Sequence, residues 1–240
     1  MSRLAPRLSV VVPVLDESAS LGELVRRVTN AGLPLHELLF VDDASTDGTF
    51  DALRFLSRDE PRLRALRLRH NVGSQRALLA GFEAVTGNVV ACLDADLQQP
   101  PEILTAALTR WHAGFDVVHL VRSGRQHDSA MRGLATRLFY GAYNALATVP
   151  VVPDSADFKL LDAACLPPLV LAQPRFLRAA IHALPGAQTS LEYDAAPRRH
   201  GASRYDAKRL LTAGIEAFAE ALAPSLLRPP PRAEVVERLR

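Results

Sequence analysis

Between Leu8 and Val121 short β-rich runs alternate with stretches of helical period, a rhythm that commits the chain to a mostly parallel sheet with helices on its faces. Leu8 to Val14 is the first such run. Leu21, Leu24, Val25 and Val28 then recur at helical spacing, and Gly32 ends that helix. A second strand is predicted at Leu38 to Val41, followed by Asp47 as the N-cap of a helix carrying Leu53 and Leu56. Leu63 to Leu68 alternates apolar and basic residues as a half-exposed strand does. Ala77, Leu78, Gly81, Phe82 and Val85 mark the next helical face, and the unbroken apolar run Val89 to Leu93 reads as a central strand. Pro100 and Pro101 open a helix that runs to about His112, since proline is tolerated in a first turn. Phe115 to Val121 completes the regular half.

Beyond Arg122 the rhythm loosens into a basic polar stretch, a helix from Ala130 to Leu146 and a loop through Pro153. Strands are predicted near Phe158 to Leu161 and Gln188 to Tyr193, and a helix from Asp206 to Leu222. The stretch from Pro229 to Arg240 opens with three prolines and is then charged, so it is expected to extend away from the core. No internal repeat is visible. The expectation is one α/β domain over residues 1–240, with 224–240 as an extended tail.

Composition supports a folded globular chain: 48% hydrophobic and 22% charged residues in 240 leave no excess of polar residues for disorder. Twenty-eight basic against 26 acidic residues give a charge of +2, a balance too close to argue for a nucleic-acid partner on charge alone, and none is expected. Cys92 and Cys165 have neither zinc nor disulfide spacing and are read as inert core thiols of a reducing compartment. The apolar stretches fall short of the ~20 residues that span a bilayer, and no secretory leader is evident, so a cytoplasmic address is expected. Leu211, Ile215, Phe218 and Leu222 form one apolar helix face, suited to the core or to peripheral contact with the inner face of a membrane.

The chemistry gathers at strand ends. The first strand ends in Pro13-Val14-Leu15-Asp16-Glu17, the second in Val41-Asp42-Asp43-Ala44-Ser45, and the central one in Asp94-Ala95-Asp96-Leu97-Gln98. In a parallel sheet these ends point the same way, so their carboxylates repel unless a cation or hydrogen-bond donors lie between them. Alternate residues of an extended segment share a side, which would let Asp94, Asp96 and Gln98 converge on a hard cation, Mg2+ or Mn2+. The competing reading makes one Asp a helix cap and leaves the others solvated. Neither G-x-G-x-x-G nor G-x-x-x-x-G-K-[ST] occurs, so phosphate must be held by metal and side chains.

Taken in order, Leu8 to Glu17, Val41 to Thr49, Asn71-Val72-Gly73, Asp94 to Glu102, Ala156-Asp157-Phe158-Lys159-Leu160 and Arg199 to Tyr205 resemble glycosyltransferase family 2. The branch they resemble most is that of the dolichyl- and polyprenyl-phosphate sugar transferases, over roughly residues 8 to 220. Two positions depart from it, Leu15 where an aromatic is often found and Lys159 where arginine is common. The resemblance implies the A-type glycosyltransferase fold, a Rossmann-like sheet flanked by helices. It also implies an inverting, metal-dependent transfer from a nucleotide-sugar donor to a polyprenyl phosphate. It divides the chain into a donor-binding part at about 8–121 and an acceptor-binding part at about 122–223.

The same resemblance assigns Pro13, Leu15, Glu17, Asp42 and Asp43 to the nucleoside pocket and the divalent cation to Asp94, Asp96 and Gln98, with Ala95 against the donor. Asp157 is the candidate catalytic carboxylate at the acceptor, beside Asp96 at the donor. Arg122, Arg132, Arg199 and Arg204 are candidate phosphate clamps, with Arg125, Lys208 and Arg209 nearby. Tyr140 and Tyr143 are read first as core packing and second as lining for an acceptor path. Two other functions compete: a glycosyltransferase acting on a hydroxyl of a small molecule or saccharide, and a catalytically silent nucleotide-binding module.

Overall fold

The computed structural model describes residues 3–123, 140–147, 150–152, 155–195 and 230–239. The regular half folds as its periodicity predicts. β1 (Leu8–Val14), α1 (Ser18–Asn30), β2 (Leu35–Asp42), α2 (Thr49–Leu56), β3 (Leu63–Leu68), α3 (Ser74–Phe82), β4 (Val89–Cys92), α4 (Leu104–His112) and β5 (Val117–Ser123) follow in order. Residues 140–146 are helical. β6 (Ser155–Asp162), α5 (Leu166–Ala172), α6 (Leu177–His182), β7 (Gln188–Asp194) and β8 (Val235–Leu239) complete the described chain. The predicted helix at 206–222 lies outside the described residues.

The eight strands form one sheet in the order β7-β5-β6-β4-β1-β2-β3-β8. β1 lies between β2 and β4, parallel to both, and every residue of it but Pro13 is buried. Alternation splits the core in two. Val10, Val12 and Val14 face α1, α2 and α4 with Phe40, Phe158 and Trp111, whereas Val11 faces α3, α5 and α6 with Leu39, Val90 and Leu161. Such two-sided burial explains the continuous apolar runs.

Two features were not foreseen. β6 runs antiparallel between β4 and β5, with Lys159 opposite both Cys92 and His119, so the descending strand carries Asp157 to where β4 ends. The tail does not leave the core: Val235–Leu239 pairs antiparallel with β3, Val235 opposite Leu68. Its alternation of half-buried and exposed residues is that of an edge strand, which the preceding prolines mask in the sequence. α5 begins with Pro167 and Pro168 in its first turn, after the Asp162 carboxylate has accepted the Ala164 N–H at 2.9 Å. No described helix is long and apolar enough to cross a membrane.

Candidate active site

The acids after β1 and β2 satisfy one another's backbone. The Asp16 N–H donates to Ser45 Oγ at 2.8 Å, and Asp16 Oδ1 accepts the Thr46 N–H at 2.7 Å. Asp47 accepts from Ser18 and Thr49, and the Glu17 N–H donates to Thr49 Oγ1 at 2.8 Å. Asp42 is fully buried, with Oδ1 accepting the Ser45 N–H at 2.9 Å and Oδ2 3.4 Å from Arg67 Nε. Asp43, only 3% exposed, accepts the N–H groups of Val72 and Gly73 at 2.7 and 2.8 Å, one on each oxygen. The hydrogen bonds observed on Asp43 thus shape the turn before α3. Pro13, Leu15 and Glu17 are half-buried at the end of β1, above this knot. Donors from the neighbouring loop thus meet the acids of the β1 and β2 ends.

Asp94, Asp96 and Gln98 do not converge by strand alternation. β4 stops at Cys92, residues 95–96 turn, and Leu97 sits in the left-handed region at φ +62°. Asp96 Oδ1 accepts the Gln98 N–H at 3.1 Å, closing a side-chain turn. The Asp94 N–H donates to Gln99 Oε1 at 2.8 Å, while Gln99 Nε2 donates to Asp94 Oδ2 at 2.5 Å. Gln99, buried and absent from the sequence-based site, is therefore the amide that holds Asp94. Ala95 is buried at the edge of the core. Left-handed residues also follow β1 (Asp16, φ +44°) and β2 (Ala44, φ +62°), so three adjacent strand ends carry backbone strain of the kind that gathers at functional sites.

Asp94 lies electrostatically against Asp157 and Asp96: burial first, then these two carboxylates, push its carboxyl up to about 7. Lys159, fully buried on β6, lies beneath them, its ammonium brought down to about 8 by burial while Asp157 opposes the shift. Arg178 of α6 reaches Asp157 Oδ1 with Nε at 3.4 Å and Nη2 at 3.3 Å, and donates from Nη1 to the Tyr140 hydroxyl. On the opposite face of β6, Tyr193 packs edge-on against Phe158 with ring centroids 5.2 Å apart. Burial and then Asp94 push its hydroxyl up to about 12, with Arg122 opposing. Arg122, opposite Tyr193 on β5, has a buried Nε with no hydrogen-bond partner among the described residues. Burial raises the Cys92 and Cys165 thiols, in keeping with inert core cysteines.

The structure therefore brings Asp94, Asp96 and Asp157 together and adds Lys159, Arg178, Gln99 and Tyr193. Arg125, Arg132, Arg199, Arg204, Lys208 and Arg209 lie outside the described residues. Tyr140 and Tyr143 pack with Val151 in a small apolar cluster against Phe176 and Ala179. Strand parity could have pointed to Lys159, two residues from Asp157 on the same face. Arg178 carries no local signal, because its partner comes from packing α6 on the sheet.

Known proteins give the chain its family and its fold. A Pseudomonas aeruginosa (strain LESB58) protein, undecaprenyl-phosphate 4-deoxy-4-formamido-L-arabinose transferase, is 37% identical over 210 residues, 85% of this chain and 62% of its own length. A Bacillus subtilis (strain 168) protein named uncharacterized glycosyltransferase YkcC is 30% identical over 213 residues, 87% of this chain and 66% of its own. The chain thus spans just under two thirds of these relatives. Glucosyl-3-phosphoglycerate synthase from Mycobacterium tuberculosis, in complex with Mn2+, UDP-glucose and phosphoglyceric acid, superposes with a TM-score of 0.62 at 19% identity, covering 91% of this chain and 79% of that one. That likeness establishes the A-type glycosyltransferase fold. The family model of glycosyl transferase family 2 matches residues 9–161, more than half of the chain, and the chain belongs to that family.

Proposed function

We propose that this chain transfers a sugar from a nucleotide-sugar to a polyprenyl phosphate, with inversion at the anomeric carbon and with Mg2+ or Mn2+ bound at the β4 end. The observation that carries the reading is the convergence of Asp94, Asp96 and Asp157 where β4 and β6 meet, with Lys159 and Arg178 as counter-charges. The P. aeruginosa relative's name supplies the acceptor class, and the M. tuberculosis complex supplies the pairing of Mn2+ with a nucleotide-sugar.

Asp94 and Asp96, with Gln98, are the residues that would hold the cation. Among the described residues no group of three or more His, Cys, Asp and Glu could hold a metal ion, so the ion proposed would be held by one or two carboxylates, with its other positions open to diphosphate oxygens. Burial first, and then the Asp157 and Asp96 carboxylates, raise the Asp94 carboxyl, and a cation beside it would relieve the repulsion between these acids. A bound cation supplies Lewis-acid stabilisation of the departing nucleoside diphosphate. Pro13, Leu15 and Glu17, above the knot built by Asp42 and Asp43, offer the nucleoside pocket. Arg122, with Arg132, Arg199 and Arg204, supplies phosphate contacts.

On the acceptor side a phosphate oxygen attacks the anomeric carbon as the bond to the diphosphate breaks. That oxygen is already anionic, so no proton need be removed, and Asp157 orients the acceptor instead of acting as a base. Lys159 and Arg178 keep the site from being wholly negative when the lipid phosphate arrives. The isoprenoid tail remains in the bilayer, so the same reading has the protein working at the inner face of a membrane.

Incubating the protein with Mn2+, undecaprenyl phosphate in detergent micelles and a panel of UDP- and GDP-sugars should yield a glycosylated lipid phosphate by mass spectrometry. Absence of product across the panel contradicts the acceptor assignment. Transfer only to hydroxyl acceptors added in parallel does so equally.

A further inference from the structure

Arg178 and Asp157 form a part-buried ion pair, with side chains 19% and 13% exposed and closest approach 3.3 Å. Both nitrogens that reach the carboxylate, Nε and Nη2, go to Oδ1. The third nitrogen, Nη1, donates to the hydroxyl of Tyr140, which is buried with Tyr143 and Val151. Tyr143 stacks edge-on against Phe176 at 5.4 Å, so residues 140–146 are docked on the chain entering α6. Asn144 closes this segment by donating from its amide to Val151 O at 2.9 Å and accepting the Val151 N–H at 2.8 Å.

A guanidinium held at one end by a buried phenol cannot swing into solvent, and its planar fork then fixes the carboxylate it grips. Lysine has the charge without the fork. We infer that Arg178 is a positioning residue, which orients Asp157 for the acceptor and couples that orientation to the seating of residues 140–147 through Tyr140. The inference rests on the reading of Asp157 given above. Among the described residues, Oδ1 is the oxygen that Arg178 grips.

The test compares wild type with Asp157→Asn, Arg178→Gln, Arg178→Lys, Tyr140→Phe and the double variant Asp157→Asn/Arg178→Gln, each after its melting temperature has been matched to wild type. Transfer to undecaprenyl phosphate in micelles is followed with Mn2+ and the nucleotide-sugar that wild type uses best. Arg178→Gln should lower kcat by at least about tenfold and change the KM for lipid phosphate by less than about threefold, the pattern of a misplaced group. Arg178→Lys should recover part of kcat, Tyr140→Phe should lower it less, and the double variant should be no worse than Asp157→Asn alone.

Loss of activity in Asp157→Asn with kcat unchanged in Arg178→Gln overturns the inference and leaves the functional reading intact. A raised lipid KM at unchanged kcat also overturns it, making Arg178 an acceptor ligand. Full activity in Asp157→Asn, or no product from wild type, removes the functional reading and the inference together. If Arg178→Gln does not fold, Arg178→Lys and Tyr140→Phe decide, and unchanged kcat in both overturns the inference.

Discussion

At the scale of single residues, carboxylates that look alike in the sequence divide into structural and chemical ones. Asp43 holds the N–H groups of Val72 and Gly73, so Asp43→Ala removes both part-buried hydrogen bonds and should cost about 2 kcal/mol in a denaturant titration. A nucleobase ligand with no structural duty would leave stability unchanged. Asp96 accepts the Gln98 N–H in a side-chain turn, and Asp96→Ala should lower transfer by at least about a hundredfold. Retained transfer would exclude Asp96 from the chemistry. The sequence revealed that acids cluster at strand ends, because residue identity and strand direction suffice for that. It could not say which acids the backbone consumes: that depends on the turns at Asp16, Ala44 and Leu97, where non-glycine residues adopt φ values no propensity foretells.

At the scale of elements, the stacked rings of His119 on β5 and His182 on α6, 4.0 Å apart, dock that helix beside Lys159. Burial depresses both imidazoles, His119 to about 4 and His182 to about 3, the latter also by His119 itself. The folded chain keeps them neutral while the unfolded chain takes up protons below pH ~6.5. The stability they contribute is therefore complete above that pH and is lost as pH falls toward 4. Asp94 acts in the opposite sense, since its raised carboxyl favours the fold as pH falls through about 7, so the pair must be isolated by comparison with a variant. Urea midpoints at pH 7 and pH 5 should fall more steeply for wild type than for His182→Phe, and equal slopes would refute this. At the far edge, Val235→Pro should remove ladder pairing with β3 and cost about 1 to 2 kcal/mol, whereas a free tail would not respond. That strand hid in the sequence because five residues after a proline run carry little periodicity, and their partner β3 is distant in the chain.

At the scale of the molecule, the alternating half was legible because each βα unit buries its own apolar face locally. In the second half the strands near Phe158 and Gln188 were legible but their placement was not, because β6 returns antiparallel between β4 and β5, and the surroundings of Asp157 depend on contacts between distant segments such as Arg178 and Asp157. The motif order pointed to the same family that residues 9–161 match, and the ordered strand ends explain why those motifs meet. Everything proposed for the donor rests on a cation held by Asp94 and Asp96 against a nucleoside diphosphate. Calorimetric titration of UDP and GDP into the protein, with Mn2+ and again with chelator, measures that claim directly. Binding of one nucleotide that requires Mn2+ and weakens by about tenfold or more in Asp96→Ala, equivalent to about 1.4 kcal/mol, is the expected result; equal affinity with and without the cation, or in the variant, would contradict it.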